Sequence, residues 1–497
     1  MFKYQQKQIL ELLKTLDEAH EELNKKLEAN VLSALLGDCQ EFAMKLMDYI
    51  EELEGSDVKA IGLLEEYCKL LYSLSQDYNN AGRKALRRKF SAIEHSVSKM
   101  PVRYEVVFLM SNVATWDCME TVWEAASNDD RFDVYTLALP HPGMSGEAEY
   151  LSQTVPLTDW SDYDLEARHP DIIFVHDPWD KVKYPPQFHL ERFAECTDLL
   201  VYLPYALSWT NISEDPVPEA VNKMFVSGSF VTGRRHKLLK QVASKFVALG
   251  NPKCDIAIRN HKTESIDYPN EWTKLLFNED GTKKTVVFYN ISVDQLRKGP
   301  KALVDKIEYV LGQFKLRKDV LPLWRPHPLF AQHISAHDKE QEARYHSLVS
   351  DFKLEGYGIY DDSKSAHMAI TFSDVHYGSP GSILDLFQCV GKPVVIQCAT
   401  MTKAPETVRH VKQYFDEWEH TMRTAVKFEK CAFHEQVGTL FCDFFEIMDY
   451  LHSSPMLLEE LREKQIELSE QVNGTGDAGR DIWDYCRKSV LGKRSQQ

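Results

Sequence analysis

Met368-Ala-Ile-Thr-Phe-Ser-Asp-Val-His-Tyr-Gly-Ser-Pro-Gly-Ser-Ile-Leu-Asp-Leu-Phe-Gln-Cys-Val-Gly-Lys-Pro-Val-Val-Ile396 reads as strand, polar loop, helix and strand. The apolar run Met368 to Phe372 has the length of a buried strand and reaches Ser373 and Asp374. A turn of small residues follows, Gly378-Ser-Pro-Gly-Ser382, after which Ile383, Leu384, Leu386, Phe387 and Val390 recur at helical spacing. Gly391 stops that helix, and Lys392-Pro393 leads into Val394-Val-Ile396. A small-residue turn that opens a helix leaves backbone N–H groups at the positive end of the helix dipole, which suits a phosphate. Asp374 and His376 are expected to end the strand at the same cleft edge.

The same alternation extends through most of the chain. Tyr104–Met110, Phe132–Leu139, His169–His176, Leu199–Leu203 and Met224–Ser227 read as one set of strands, with a helix over Trp116–Ala126. Thr285–Tyr289, Val320–Trp324, Met368–Phe372 and Val394–Ile396 read as a second set. Short continuous apolar strands between helices imply parallel sheets covered on both faces, so the fold class is α/β with two Rossmann-like domains and a cleft between them. The expected boundaries are a helical module over 1–100, a first domain over 101–245, a second over 246–455, and helices over 456–497 that cross back to the first.

Residues 1 to 100 hold no proline before Pro101 and repeat apolar residues in stripes: Ile9, Leu13, Leu16, Leu23 and Leu27, interrupted by His20; Leu46, Tyr49, Ile50 and Leu53; Leu63, Leu64, Leu70, Leu71 and Leu74. Three or four helices are expected, some paired as a coiled coil, with a break and cap at Gly55-Ser56-Asp57. Such a module serves either homo-oligomerisation and docking or as a cover for the enzyme body. Gly82-Arg-Lys-Ala-Leu-Arg-Arg-Lys-Phe90 reads as a solvated helix face that can also meet anionic lipid.

A net charge of −17 over 497 residues argues against a general nucleic-acid partner. Ten scattered cysteines without a CxxC pair suit a reducing compartment, and no window has the apolar length of a membrane span. The expectation is a cytoplasmic protein, peripheral at most on the inner membrane face. No HExxH or clustered Cys/His spacing suggests a metal, and no cofactor is expected.

Ser373-Asp374, Tyr377, Ser379, Ser382, Asp385 and Lys392-Pro393 resemble the C-terminal signature of the CDP-glycerol glycerophosphotransferase family, the GT-B enzymes that build teichoic acids. Leu321-Pro-Leu-Trp-Arg-Pro-His-Pro328, Gly250-Asn-Pro-Lys-Cys-Asp255 and Asp477-Ala-Gly-Arg-Asp-Ile-Trp483 are similar to that family's other segments, in order, over roughly residues 101 to 490. The resemblance implies a GT-B fold, a nucleotide-activated donor such as CDP-glycerol, and a glycan or lipid-linked acceptor. It also implies that His327 steadies the leaving phosphate.

The residues themselves support a donor site. Arg325 and His327 follow a strand and suit a developing negative charge. Tyr377, Gly378, Ser379, Gly381 and Ser382 form the phosphate turn, with Asp385 one turn into the helix for ribose or glycerol hydroxyls and Asp374 in support. The family's first-domain turn carries a histidine, whereas the matching Tyr202-Leu-Pro-Tyr-Ala206 has none. His176, in Phe174-Val-His-Asp-Pro-Trp-Asp180, is the alternative general base, with Asp177 or Asp180 assisting. His141-Pro-Gly-Met-Ser-Gly146 is a loop that can line the acceptor side, and Arg234-Arg-His-Lys237, at a helix start, reads equally as a contact for a polyanionic acceptor or as a solvated helix face. Two other readings stay open: an inverting glycosyltransferase using a nucleotide sugar, and a non-catalytic scaffold of a polymer-synthesis complex.

Overall fold

A computed structural model describes residues 1–493 apart from 24, 26–27, 111–112, 141–154, 177–184, 206–220, 227–242, 264–265, 328–329, 337, 364, 399–407, 427 and 436–442. The His141–Gly146 and Arg234–Lys237 segments, Asp177 and Asp180 lie outside the described residues.

The amino-terminal stripes form four helices, α1 (Lys3–Leu23), α2 (Ala29–Glu54), α3 (Lys59–Gln76) and α4 (Asn80–Ser98). Each packs on the next and α1 packs on α4, which makes a closed bundle rather than a paired coiled coil. Ile9, Leu13, Leu16, Leu46, Ile50, Leu64 and Leu71 fill its core. His20 does not interrupt the stripe: it is buried with it, its Nε2 2.6 Å from the Tyr67 hydroxyl. The break after α2 is Gly55 at φ +78°, but α3 starts beyond Asp57 and neither Ser56 nor Asp57 caps it. The bundle meets the body at its start. Phe2 bridges to Arg103, and Lys3 Nζ reaches the Asp171 and Asp198 carboxylates.

Two parallel sheets follow. The first runs β3-β2-β1-β4-β5-β6-β7: β1 Tyr104–Met110, β2 Phe132–Ala138, β3 Leu157–Thr158, β4 Ile172–Val175, β5 Leu200–Tyr202, β6 Lys223–Val226 and β7 Phe246–Ala248. The second runs β10-β9-β8-β11-β12-β13: β8 Thr285–Asn290, β9 Val320–Trp324, β10 Ile359–Tyr360, β11 Val375–Gly378, β12 Val394–Ile396 and β13 Phe433–His434. Both are Rossmann-like orders. Each reverses direction at its first strand, between β1 and β4 and between β8 and β11, and ligands of such sheets bind outside the carboxyl ends at those points. The last helix, Ala478–Lys493, returns to the first domain and buries Ile482, Trp483, Cys486 and Val490 in its core. Two such domains in series with a returning helix are the GT-B arrangement.

The expected strand Met368–Phe372 is a helix, His367–Phe372, and the strand is Val375–Gly378. A five-residue run, apolar but for Thr371, fits either element, and tertiary packing chose the helix, with Ala369, Ile370 and Phe372 in the core. The strand escaped notice because His376 and Gly378 do not look apolar. His376 is fully buried between the rings of Phe288 and Phe387, and burial pushes its pKa down to about 3.

The shift of the strand corrects three further expectations. Asp374 lies at the amino end of β11, away from the cleft, where its carboxylate accepts from Val286 N at 2.8 Å and meets Lys283 at 3.3 Å. His376 does not edge the cleft. Tyr377 points into the core, stacked on Tyr289 and Phe444, and its hydroxyl donates to Glu435 at 2.7 Å. It cannot touch a donor from there.

Candidate functional site

Gly378, at the carboxyl end of β11, is fixed by a close approach. A Cβ at this position would lie 1.7 Å from the Asn290 carbonyl oxygen at the end of β8. Only glycine lets the two strands meet there. The Ser379 amide then donates to that carbonyl at 3.0 Å, and the Ser379 hydroxyl accepts from Ser292 N at 3.0 Å. Ser379 is thereby part of the scaffold of the turn. Gly381 precedes the helix Ser382–Cys389 in extended backbone, with open space where a Cβ would be. Ser382 opens that helix, and Asp385 is half-buried in its first turn.

Asn290 also donates from Nδ2 to the Arg325 carbonyl at 2.7 Å, so the ends of β8, β9 and β11 are tied together. Arg325 is buried. Its Nη1 bonds the Asp361 carboxylate and the Ser363 hydroxyl, and its Nη2 bonds the Ser363 carbonyl at 2.8 Å. The guanidinium is committed to that loop, so Arg325 supports the site from below instead of facing a phosphate. His327 is half-buried two residues further on, and its carbonyl accepts from Phe330 N at 2.8 Å.

On the first sheet, His176 follows β4 directly and is 3% exposed. Its Nδ1 is 3.1 Å from the Thr115 hydroxyl, in the short 3-10 segment Val113–Cys118 that follows β1. The turn after β5 brings Pro204, whose carbonyl accepts from Asn251 Nδ2 at 3.3 Å, and Tyr205.

The Gly250–Asp255 segment joins the domains. Lys253 Nζ lies 3.4 Å from the Tyr205 ring centroid and 3.4 Å from Asp117, both in the first domain, and 3.3 Å from the Ser382 hydroxyl in the second. Asp255 accepts from Thr121 Oγ1 at 2.8 Å, Ala478 N at 3.1 Å and Gly479 N at 2.8 Å. The two separate segments singled out in the sequence therefore meet: Asp255 caps the start of the returning helix. Burial nevertheless raises the pKa of this carboxyl, against the pull of those donors.

The contacts run continuously from His176 to Ser382, through Thr115, the 113–118 segment, Asp117 and Lys253. Sequence reasoning missed Thr115, Asp117 and His367. His367 starts the misread helix and is buried, with Nε2 3.9 Å from Asp117. Burial lowers its pKa, with Asp117 pulling the other way and Lys253 and Arg325 adding to the lowering. The basic residue of the interdomain turn was the one available signal for Lys253. Among the described residues no group of three or more His, Cys, Asp or Glu is placed to hold a metal ion. No described helix is long and apolar enough to cross a membrane.

No family model and no curated protein matches the chain. Solved structures with a related arrangement include UDP-GlcNAc 2-epimerase from Neisseria meningitidis bound to UDP-GlcNAc, at 13% identity and a TM-score of 0.49, covering 77% of this chain and 100% of that one. MnaA of S. aureus with UDP aligns at 12% identity and a TM-score of 0.48, over 78% and 97%. The wall teichoic acid polymerase TagF aligns at 10% identity and a TM-score of 0.44, over 87% and 98%. Likeness at this level leaves the chemistry to be argued from the chain's own residues.

Proposed function

We propose that the chain is a GT-B transferase that moves a polyol phosphate, such as glycerol phosphate, from a CDP-activated donor to a hydroxyl of a cell-surface glycan or teichoic-acid-like acceptor. The observation that carries this reading is the pairing of the two switch points. His176 follows β4 on one sheet, the Gly378–Ser382 turn follows β11 on the other, and contacts through Asp117 and Lys253 bind them together.

In this reaction the acceptor hydroxyl oxygen bonds to the β-phosphorus of the donor. The bond from that phosphorus to the bridging oxygen breaks, and CMP leaves with the electron pair. The acceptor proton passes to His176, a neutral imidazole being a suitable base near pH 7. The Gly381 and Ser382 amides and the Ser382 hydroxyl, at a helix start, and the imidazole of His327 receive the charge on the leaving phosphate, with Ser379 holding the turn in place. Asp385 is assigned to hydroxyls of the donor. Asp177 and Asp180 remain assigned to the support of His176. The donor needs no bound metal in this scheme, because the helix start and neighbouring side chains supply the positive potential.

The same cleft suits an inverting glycosyltransferase that uses a nucleotide sugar. What favours that second reading is the first-domain turn Tyr202-Leu-Pro-Tyr-Ala206, which has no histidine where the family that the sequence resembles carries one in its turn.

Ligand-induced stabilisation tests both. A rise in melting temperature with CMP and CDP-glycerol alone supports the first reading, and a rise with UDP or GDP supports the second. No rise with any of them refutes both.

A further inference from the structure

Lys253 is unusual among the buried cations of the molecule. Lys306, in the second domain, is held by both oxygens of Glu435 at 3.0 and 3.1 Å. Lys253 is as deeply buried, yet Asp117 offers it one oxygen at 3.4 Å and Ser382 a hydroxyl at 3.3 Å. The face of the Tyr205 ring lies against it as well, its centroid 3.4 Å from Nζ. The ammonium is thus surrounded by long contacts that an anion of better geometry can replace.

The groups around it are under-satisfied as well. Asp117 Oδ1 is buried without a hydrogen-bond partner among the described residues. The His367 side chain is more than nine-tenths buried, and neither ring nitrogen has a hydrogen-bond partner there, although Nε2 comes to 3.9 Å from Asp117 Oδ2. Burying unpaired polar groups costs free energy, and several of them in one place mark a spot made for a polar occupant. Lys253, His367 and Ser382 converge on it from one side, and Ser382 begins an eight-residue helix. Asp117 reaches it from the first domain.

We propose that Lys253, His367 and Ser382 form a diphosphate subsite in the seam between the domains, held shut by Asp117. In the free protein the Asp117 carboxylate occupies the ammonium and ties the first domain to the second. An incoming diphosphate replaces it, taking charge-assisted hydrogen bonds from Lys253 and Ser382 and a hydrogen bond from the His367 imidazole. The carboxylate then turns out of the seam, where one-fifth of its side chain is already exposed. Donor binding and release of the seam are by this means one event. The assignment deepens the donor-site reading given above and rests on it for the identity of the diphosphate. The subsite itself rests only on these four residues.

The test is calorimetric titration of the full chain with inorganic pyrophosphate. D117N removes the competing charge without changing volume, and pyrophosphate is expected to bind it about tenfold more tightly than the wild type. K253M is expected to weaken binding about tenfold or more, and H367F several-fold. Circular dichroism checks that the variants fold, and the sign of the D117N change decides on its own if K253M does not. Pyrophosphate binding D117N no more tightly than the wild type, or failing to bind either, overturns the proposal. If CMP and CDP-glycerol stabilise the wild type while D117N leaves pyrophosphate affinity unchanged, the latch is wrong and the donor reading stands. The reverse pattern, a working subsite with no nucleotide effect, keeps the subsite and removes the donor reading.

Discussion

Replacing Gly378 by Ala adds one methyl carbon at the most constrained point of the second domain. That carbon would sit 1.7 Å from the Asn290 carbonyl oxygen and 2.8 Å from its carbon, both backbone atoms with no rotamer to change. The strands β8 and β11 must therefore part by on the order of 1–2 Å at their carboxyl ends to reach ordinary contact distance. Three bonds cross that point: Ser379 N to the Asn290 carbonyl at 3.0 Å, Ser292 N to the Ser379 hydroxyl at 3.0 Å, and Gln397 N to the Gly378 carbonyl at 2.7 Å. Losing or stretching two of them costs about 2 kcal/mol, and forcing a close-packed region apart adds about 1–3 kcal/mol. A loss of about 3–5 kcal/mol for the second domain is the expected result in urea unfolding followed by tryptophan fluorescence. The turn Ser379–Ser382 moves with the strand, so donor affinity falls by about 10-fold to 100-fold under conditions where the variant is still folded. Gly381→Ala is the control, because open space surrounds its Cβ and its φ of 161° suits any residue. It is expected to change stability by less than about 1 kcal/mol, the scale of an altered helix cap. Equal stability of the Gly378→Ala and Gly381→Ala proteins would refute the reasoning.

Other expectations follow from single contacts. His176→Ala should abolish most transfer while leaving donor affinity within about twofold, as general-base loss typically lowers turnover by about 100-fold or more; near-normal turnover removes His176 from the mechanism. Asp255→Ala leaves the Thr121 hydroxyl and the Ala478 and Gly479 amides without their acceptor. It should cost about 3 kcal/mol and raise hydrogen exchange across 478–493, and unchanged protection there contradicts the capping role. His376 has a folded-state pKa of about 3 against an ordinary 6.5, a depressed value. Its contribution to stability is therefore fully present above about pH 6.5 and is lost as pH falls toward 3, by up to about 1.4 kcal/mol per pH unit. His376→Leu should flatten the acid limb of the stability profile, and an unchanged slope counts against the burial argument.

Much of the fold was legible because parallel strands buried on both faces are continuous apolar runs. Tyr104–Met110 and Val320–Trp324 match their strands residue for residue. The failure came where the rule is blind. A five-residue apolar run carries no period, so Met368–Phe372 passed for the strand that Val375–Gly378 supplies. That displacement alone turned Asp374 to the wrong end of the sheet and Tyr377 into the core. The turn Gly378–Ser382 survived the error, since small residues before a helix keep their meaning whatever precedes them. Arg325 was misjudged for another reason: the Asp361 and Ser363 that claim its guanidinium lie more than thirty positions away. The seam was legible only in pieces, Lys253 as the basic residue of the interdomain turn and Ser382 in the phosphate turn. Asp117, Lys253, His367 and Ser382 come from four separate stretches, and only packing of the domains brings them together.

The central claim is that a diphosphate ester lodges at the carboxyl ends of β8, β9 and β11, and the phosphorus-31 NMR spectrum of CDP-glycerol titrated with the protein tests it most directly. Both phosphorus resonances should shift and broaden in the presence of the wild-type chain and recover on adding excess CMP. Two resonances that stay sharp and unmoved at a protein excess would contradict the account.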